Sequence, residues 1–440
     1  MMRTDRAVVV LVDAYGTGRH LRAAFADLGA DVVHVSSTPE PLPSMTAPDL
    51  SAYSASLVCT NPAETAAELA ALNPVAVVAG QEPGVTLADI LSELLHVPTN
   101  GSALSAARRD KYLMIEAVRK AGLSCAAQFC SSEPAALVAW AERRGTYPVV
   151  VKPLAASGSQ GVSICSDAAQ LRRAAEAVLN TTTMYAETNT SVLVQSYLCG
   201  TEYIVDTVSC RGQRYDCAVW RKDERRQGNP NVYHRNVLVP PGDPAVDVLT
   251  AYVHRVLDAL GIEFGASHAE VMMTADGPAL VEIGARLNGV MHPEFDAECC
   301  GAEQASVTAL AYLRPDQFLA QFAGRRYRQH REAYVFHVAT GLNGTVTRLN
   351  GALLAELNAI ESVRSLTPKV ARGGRIRPTV DLPSSPLTVY LSNGSGSDLA
   401  RDYTRAAALA GNLFAIAGTT PLERFVQRSP EGGPVHRQHV

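Results

Sequence analysis

The stretch that most constrains this chain is a short hairpin. Val271-Met272-Met273 and Ala279-Leu280-Val281 read as two strands joined through Thr274-Ala275-Asp276-Gly277. An Asp-Gly pair between apolar runs is a strong hairpin signal. Side chains alternate across a strand, so one face of the pair is left for water or for a site. Glu270 leads into the first strand and Glu282 follows the second. The hairpin can therefore bring two carboxylates together near one end of a sheet. Carboxylates that close repel unless a cation lies between them. Mg²⁺ suits such a pair, because it takes hard oxygen ligands and bridges to phosphates; Mn²⁺ can take the same role. Arg286 and Asn288 follow directly. Acids in solvated surface hairpins are common, so this stretch alone leaves both readings open.

The middle of the chain adds to it. Tyr147-Pro148-Val149-Val150-Val151-Lys152-Pro153 is a β-branched strand with a lysine at its end, and the small, Gly-rich Ala155-Ala156-Ser157-Gly158-Ser159-Gln160-Gly161-Val162 follows. A lysine behind a flexible glycine flap suits a polyphosphate. The ammonium is a point charge, and the N–H groups of the flap can close over phosphate oxygens. A lone Gly-Ser-x-Gly is otherwise an ordinary tight loop. The run 192–206 then reads as a strand, a break and a second strand.

The order of these pieces resembles the ATP-grasp superfamily of carboxylate–amine ligases. It covers roughly residues 1–300: Lys111, then Val151-Lys152-Pro153 with the flap, the hinge 195–198, Gly200-Thr201-Glu202, and Glu270 and Glu282 with Arg286. More narrowly it resembles bacterial L-amino-acid ligases, which make dipeptides, and related natural-product peptide ligases. That likeness rests on Gly265-Ala266-x-His268-Ala269-Glu270 with Glu282-Ile283-Gly284-Ala285-Arg286-Leu287-x-Gly289.

The resemblance implies an α/β (α+β) chain with the ATP-grasp fold. A Rossmann-like N-terminal domain would span 1–105 and the ATP-grasp domain 106–330, with a mobile small lobe near 125–200. A C-terminal cap would span 331–440. ATP and Mg²⁺ are the implied cofactors. Lys111 and Lys152 would hold the triphosphate under Ser157, Gly158, Ser159 and Gly161. Gln195, Ser196, Tyr197 and Leu198 would read adenine through backbone groups, and Glu202 would bind the ribose. Many hinges of the family carry an acid where this chain has Gln195 or Ser196. Glu270 and Glu282 would hold the metal. The family often places an asparagine two positions after the second glutamate; that position is Gly284 here, and Asn288 is the asparagine left as third ligand. Arg286, with its bidentate fork, and Lys152 would be the catalytic cations. Lys222, Tyr233 and His234 would frame the substrate pocket, with Glu82, His268 and His292 as further contacts. The implied reaction activates an acid, amino acids being the expected class, as an acyl phosphate. An amine then displaces phosphate.

The remainder fits this frame. Residues 7–12, a helical run at 21–28 and residues 31–35 form a βαβ unit. Its Gly16-x-Gly18 lacks the third glycine of a nicotinamide-binding loop. The buried strand 74–79 ends at Gln81-Glu82, and ligands gather at such strand ends. Residues 105–121 read as a helix carrying Lys111, and 247–260 as a helix with Val248, Tyr252, Val256 and Leu260 on its apolar face. A helix is expected over 303–320 and another near 400–417, and 429–440 reads as a disordered tail. The chain has 440 residues, 47% of them hydrophobic, and a net charge of −4, so neither nucleic acid nor an anionic membrane is an expected partner. No apolar run approaches the roughly 20 residues that span a bilayer. Nine cysteines without paired spacing suit reduced thiols in a cytoplasm. No internal repeat is visible, and the family allows a homodimer.

Three other readings weigh less. A biotin-type carboxylase would need a Met-Lys-Met carrier motif, which is missing, though a purine-pathway-like ligase stays open. A silent ATP-binding module has no need of Lys152, Glu270, Glu282 and Arg286 together. A nicotinamide oxidoreductase lacks its glycine loop.

Overall fold

The computed structural model describes residues 6–42, 45–226 and 231–417, with side chains described outside 224–233. The tail 429–440 lies outside the described residues.

The N-terminal region is a parallel sheet in the order Ala55–Val58, Asp31–Ser36, Val8–Val12, Pro74–Ala79. Helices Arg19–Asp27, Pro62–Ala70 and Val85–Leu94 accompany it. Val8–Val12 is a continuous apolar run because residues 9–12 are buried on both faces of the sheet. The strand Ala55–Val58 was not anticipated; it lies at the edge, with Val58 exposed, and so lacks the apolar signature of its neighbours. Packing accounts for Gly18: a Cβ there would stand 2.2 Å from the Gly80 carbonyl oxygen.

The next lobe is an antiparallel sheet in the order Gln128–Ser131, Val192–Ser196, Val149–Lys152, Ser163–Cys165. Helices Pro134–Arg144 and Ala168–Val178 supply Leu137, Leu171 and Ala175 to its core, against Val149, Val151, Val192 and Val194.

The largest sheet runs Gly277–Gly284, Gly265–Thr274, Gly200–Cys210, Gln213–Arg226, Asn231–Leu238, Glu332–His337, Leu387–Asn393, Val363–Pro368. The expected hairpin is its first pair. Helix Pro244–Ala259 packs behind it through Val246, Leu249, Tyr252, Val253, Val256 and Leu257. Tyr252, Val256 and Leu260 are buried as expected, but Val248 is 48% exposed and Leu249 takes its place on the buried face. The expected helix over 303–320 is two, Gln304–Leu313 and Pro315–Gln321, broken where Pro315 cannot continue the first. The last three strands of the large sheet come from beyond residue 330, so the sheet runs unbroken across that position. They share a second core with helix Gly396–Ala410, which begins earlier than expected.

Candidate active site

The hairpin register sets Glu270 directly opposite Glu282, and a register shift follows between Glu270 and Val271. Gly277 closes the turn at φ +107°, a region that favours glycine. Lys111 opens the helix Lys111–Lys120, whose N-cap Asp110 accepts from the Leu113 N–H at 2.9 Å. That start aims Lys111 at the hairpin: its Nζ lies 2.8 Å from Glu282 Oε2 and also donates to the Ala156 carbonyl. Lys152 ends its strand with Nζ 3.4 Å from the Val281 carbonyl. Lys222 stands between two acids, 2.8 Å from Glu202 Oε1 and 3.4 Å from Glu270 Oε2.

Lys111, Lys152, Glu202, Glu270 and Glu282 form the charged end of a cleft with about 940 Å³ of atom-free space, open solvent at its mouth included. Its other end is apolar, walled by Val150, Val162, Ile164 and Met272 beside the hinge Gln195–Leu198. Period two accounts for the mixture: Val150 and Lys152 share one strand face, as do Glu270 and Met272. The Gln195 side chain donates to Gln128 Oε1 at 3.0 Å, and Ser196 Oγ accepts from the Ala127 N–H at 3.0 Å, so both polar side chains are spent inside the lobe.

The flap covers this cleft. Gly158 and Gly161 sit at φ +65° and +72°, and Ser159 shares the left-handed region at +63°. Tyr185 Oη donates to Ser157 Oγ at 2.8 Å on one side. On the other, the Leu382 N–H donates to the Gly158 carbonyl at 3.1 Å.

A smaller chamber adjoins the cleft, and Lys111, Ala156 and Glu282 line both. Its far wall carries Glu82, Arg109, Ser157 and Arg286. Arg286 Nε bonds Glu82 Oε2 at 3.2 Å, and its Nη1 donates to the Leu287 carbonyl at 2.9 Å. A Cβ on Gly284 would lie 2.9 Å from Glu82 Oε2 and 3.0 Å from Arg286 Cζ. The absence of the family's asparagine at 284 is thus explained: the Glu82–Arg286 pair fills that space.

Burial shapes the charges. It lowers the Lys152 pKa to about 8, against the opposing pull of Glu282. Burial also works against the His268 cation, but the Asp206 charge and the hydrogen bonds that the ring donates to Asp206 and Glu270 outweigh it and raise that pKa to about 8. Burial disfavours the Glu270 carboxylate, yet Lys222 and His268 hold its pKa well below the ordinary range. Arg286 is held above its ordinary value because Glu82, first among its neighbouring charges, outweighs burial.

Of the other residues singled out from the sequence, His268 Nδ1 pairs with Asp206 Oδ1 at 2.7 Å, and its Nε2 is 3.6 Å from Glu270 Oε1. Asn288 lines neither chamber. Its Nδ2 donates to Asp206 Oδ2 at 2.9 Å and its Oδ1 accepts from the Val290 N–H at 2.9 Å, which occupies the carboxamide expected as a third metal ligand. His292 lines neither chamber; its Nε2 pairs with Ser365 Oγ at 3.0 Å and its ring meets Tyr390. His234 bonds the Tyr403 hydroxyl and packs on Phe336, which ties it to the C-terminal core. The Tyr233 side chain lies outside the described residues. Sequence reasoning missed Asp206, Tyr185 and Arg109. Only Asp206 had a signal, as an acid directly after the apolar run Tyr203-Ile204-Val205 within a strand.

The donor set fits Mg²⁺ arriving with a nucleotide. Two opposed carboxylates leave coordination positions that phosphate oxygens can fill. Among the described residues no group of three or more His, Cys, Asp or Glu side chains forms a cage of its own.

A lysine-lined cleft under a flap, with opposed carboxylates at its charged end and an arginine chamber beyond, defines a nucleotide-dependent ligase. The comparisons name the family. Residues 145–294 match the ATP-grasp domain model. The chain is 36% identical over 393 residues to dapdiamide A synthase of Enterobacter agglomerans, covering 87% of this chain and 91% of that protein. The L-amino acid ligase from Bacillus licheniformis superposes with a TM-score of 0.72 at 19% identity, covering 92% of this chain and 98% of that one. Phosphoribosylglycinamide synthetase from Anaerococcus prevotii follows the same fold, at a TM-score of 0.63 and 15% identity over 94% of this chain and all of that one. The chain belongs to the ATP-grasp carboxylate–amine ligases, and its reaction is ATP-dependent carbon–nitrogen bond formation.

Proposed function

We infer that the enzyme joins the carboxylate of an amino acid, or of a close relative, to an amine through an acyl phosphate, in the assembly of a peptide-like natural product. One observation carries this reading: the Lys111–Glu282 pair belongs to both chambers. The phosphate end of the larger cleft therefore meets the Glu82–Arg286 chamber at the place where a phosphoryl group would pass to an acid.

Adenine would lie between Val150, Ile164 and Met272 beside the hinge, and Glu202 would meet the ribose. Lys111 and Lys152 would hold the phosphates under the flap. Mg²⁺ held by Glu270 and Glu282 would neutralise and bridge the phosphates. An acid in the small chamber would meet Arg286, whose planar fork suits a carboxylate and then an acyl phosphate. A carboxylate oxygen attacks the γ-phosphorus and ADP leaves; the amine nitrogen then attacks the acyl carbon, phosphate leaves and the nitrogen loses a proton. The chain's work is positioning and charge neutralisation. Glu82 would receive an ammonium group of the acid, which is why amino acids are the favoured class. The name of the dapdiamide relative supports the natural-product role. Cytoplasmic residence accords with the need for ATP and with nine unpaired thiols.

The experiment is phosphate release from ATP and Mg²⁺ with amino acids offered singly and in pairs, and mass spectrometry of the products. A product lighter than the two substrates by one water supports the reading. Phosphate release with no amide from any pair, or none at all, counts against amino-acid ligation.

A further inference from the structure

The smaller chamber has about 320 Å³ of atom-free space, open solvent at its mouth included. The other polar side chains on its wall have partners. Glu82 Oε2 lies 3.2 Å from Arg286 Nε, Lys111 lies 2.8 Å from Glu282, and Ser157 Oγ accepts from Tyr185 at 2.8 Å. Arg109 differs. Its Nε is shut off from solvent and has no acceptor among the described residues, and no other side-chain atom on this wall is in that position.

The rest of that guanidinium is held. Its Nη2 lies 2.8 Å from Glu187 Oε1, and its Cζ stands 5.9 Å from the centre of the Tyr185 ring. Both partners come from the segment between the helix Ala168–Val178 and the strand Val192–Ser196. A guanidinium held on two sides has little freedom to turn its remaining N–H towards another acceptor. A buried donor left unmet is costly, and more so on a charged group. On the wall of a substrate chamber, the substrate is the group that can meet it.

With Arg286 facing the reacting carboxylate and Glu82 the ammonium, neither end of an amino acid is left for Arg109. What remains is the side chain. We propose that Arg109 is a specificity-determining residue, and that the acid carries on its side chain a carbonyl oxygen, of a carboxamide or a second carboxylate, which accepts from the Arg109 Nε–H. An apolar side chain would leave that N–H buried and unmet. The proposal rests on the reading of the smaller chamber as the acid site.

The test reads the choice of acid without knowing the amine. Hydroxylamine at a fixed high concentration takes the acyl group from the acyl phosphate. Its nitrogen bonds the acyl carbon, phosphate leaves and the nitrogen loses a proton, so a hydroxamate accumulates. The acids are near-isosteric pairs, asparagine with leucine and glutamine with methionine. Aspartate and glutamate then separate the carboxylate from the carboxamide. In wild type the carbonyl-bearing member of at least one pair is expected to exceed its apolar partner in kcat/KM by about ten- to hundredfold, which is what one hydrogen bond from a charged donor supplies. Arg109→Met is expected to bring that ratio within about threefold of unity. Arg109→Lys, which keeps the charge but loses the Nε–H, should do nearly the same. The ratio is taken within one protein, so a general loss of activity does not move it.

If wild type makes hydroxamates from leucine and methionine as readily as from the carbonyl-bearing acids, the proposal is overturned while the ligase reading stands, and no variant is needed to show it. If the preference exists and either variant keeps it, another group reads the side chain and the assignment to Arg109 falls. If none of the acids gives a hydroxamate, the smaller chamber is not an amino-acid site, which removes that reading and the proposal together.

Discussion

Glu82 Oε2 and Arg286 Nε lie 3.2 Å apart across the seam between the N-terminal sheet and the end of the central hairpin. Glu82 stands at the C-terminal end of the strand Pro74–Ala79, and Arg286 two residues beyond Gly277–Gly284. Both side chains are largely buried, so the pair fixes the arginine's fork and closes position 284 to any larger side chain. Whatever acid enters must exchange with one of these partners.

Arg286→Lys is expected to cut kcat/KM for the acid by roughly 10²–10³, the usual cost of losing a positioned donor at developing charge. Lysine keeps the charge but loses the fork. Calorimetry should show nucleotide affinity within about threefold of wild type, because Arg286 borders the smaller chamber, proposed for the acid, and not the larger cleft, proposed for the nucleotide. A large loss of ATP affinity would move the arginine to the nucleotide.

If Lys152 holds the phosphates, it should set the pH dependence of nucleotide binding. Burial holds its pKa near 8 in the nucleotide-free protein, and bound phosphates would raise it. The complex then holds more protons than the free protein above pH 8, so ATP affinity should fall as pH rises through about 8. Titrations between about pH 7 and 9.5 read this directly. Lys152→Arg should flatten the profile, since the guanidinium stays charged throughout. Lys152→Ala or Glu282→Ala should lower turnover by roughly 10²–10³; near-normal ATP turnover in either would remove these residues from the site.

The hairpin was legible in the sequence because its signals are local: an Asp-Gly turn, alternation, and an acid at each outer end. The N-terminal strands were legible for the same reason, since burial on both faces makes a continuous apolar run. What depends on distant pairing was not. Nothing near Lys222 predicts that it stands between Glu202 and Glu270. Nothing near Asn288 shows that Asp206 takes its amide. Apolar spacing alone puts Val248 on the buried face with Tyr252, Val256 and Leu260; those three are buried, but Leu249 fills the place of Val248, which is left in water. His234 lay in a charged run that reads as solvated, yet Tyr403 and Phe336 from the C-terminal core receive it. Continuation of the large sheet by strands from beyond 330 is a long-range pairing, and periodicity carries no information about partners.

The Asp206–His268 pair should make stability fall with pH. The folded His268 pKa is near 8 and the unfolded value is near 6.5. The contribution is therefore fully present below pH 6.5 and is lost as pH rises through about 8. A gap of that size is worth roughly 2 kcal/mol. Urea melts at about pH 6 and 8.5 should differ by that amount in wild type, after correction for other groups by the variant. In Asp206→Asn the difference should disappear, because burial then favours the neutral ring. An unchanged difference in the variant would assign the pH dependence to another group.

The flap is the part of the site most exposed to a one-atom change. Gly158 lies at φ +65°, and a Cβ there would come within 2.9 Å of Pro383 Cδ, next to the Leu382 N–H that bonds its carbonyl. Gly158→Ala therefore strains the closed flap twice, through its backbone and through the C-terminal loop. The backbone part alone is about 1–2 kcal/mol, enough to shift a closing equilibrium by about five- to thirtyfold. An acyl phosphate under a flap that opens too often meets water. Phosphate release should then exceed amide formation, while the melting temperature changes little, because Gly158 belongs to none of the buried cores. Pro383→Ala in the same chain relieves the contact but not the dihedral, so it should restore the coupling ratio in part. Equal phosphate and amide in Gly158→Ala would show that the flap does not guard the intermediate, and that its contact with Leu382 and Pro383 is packing alone.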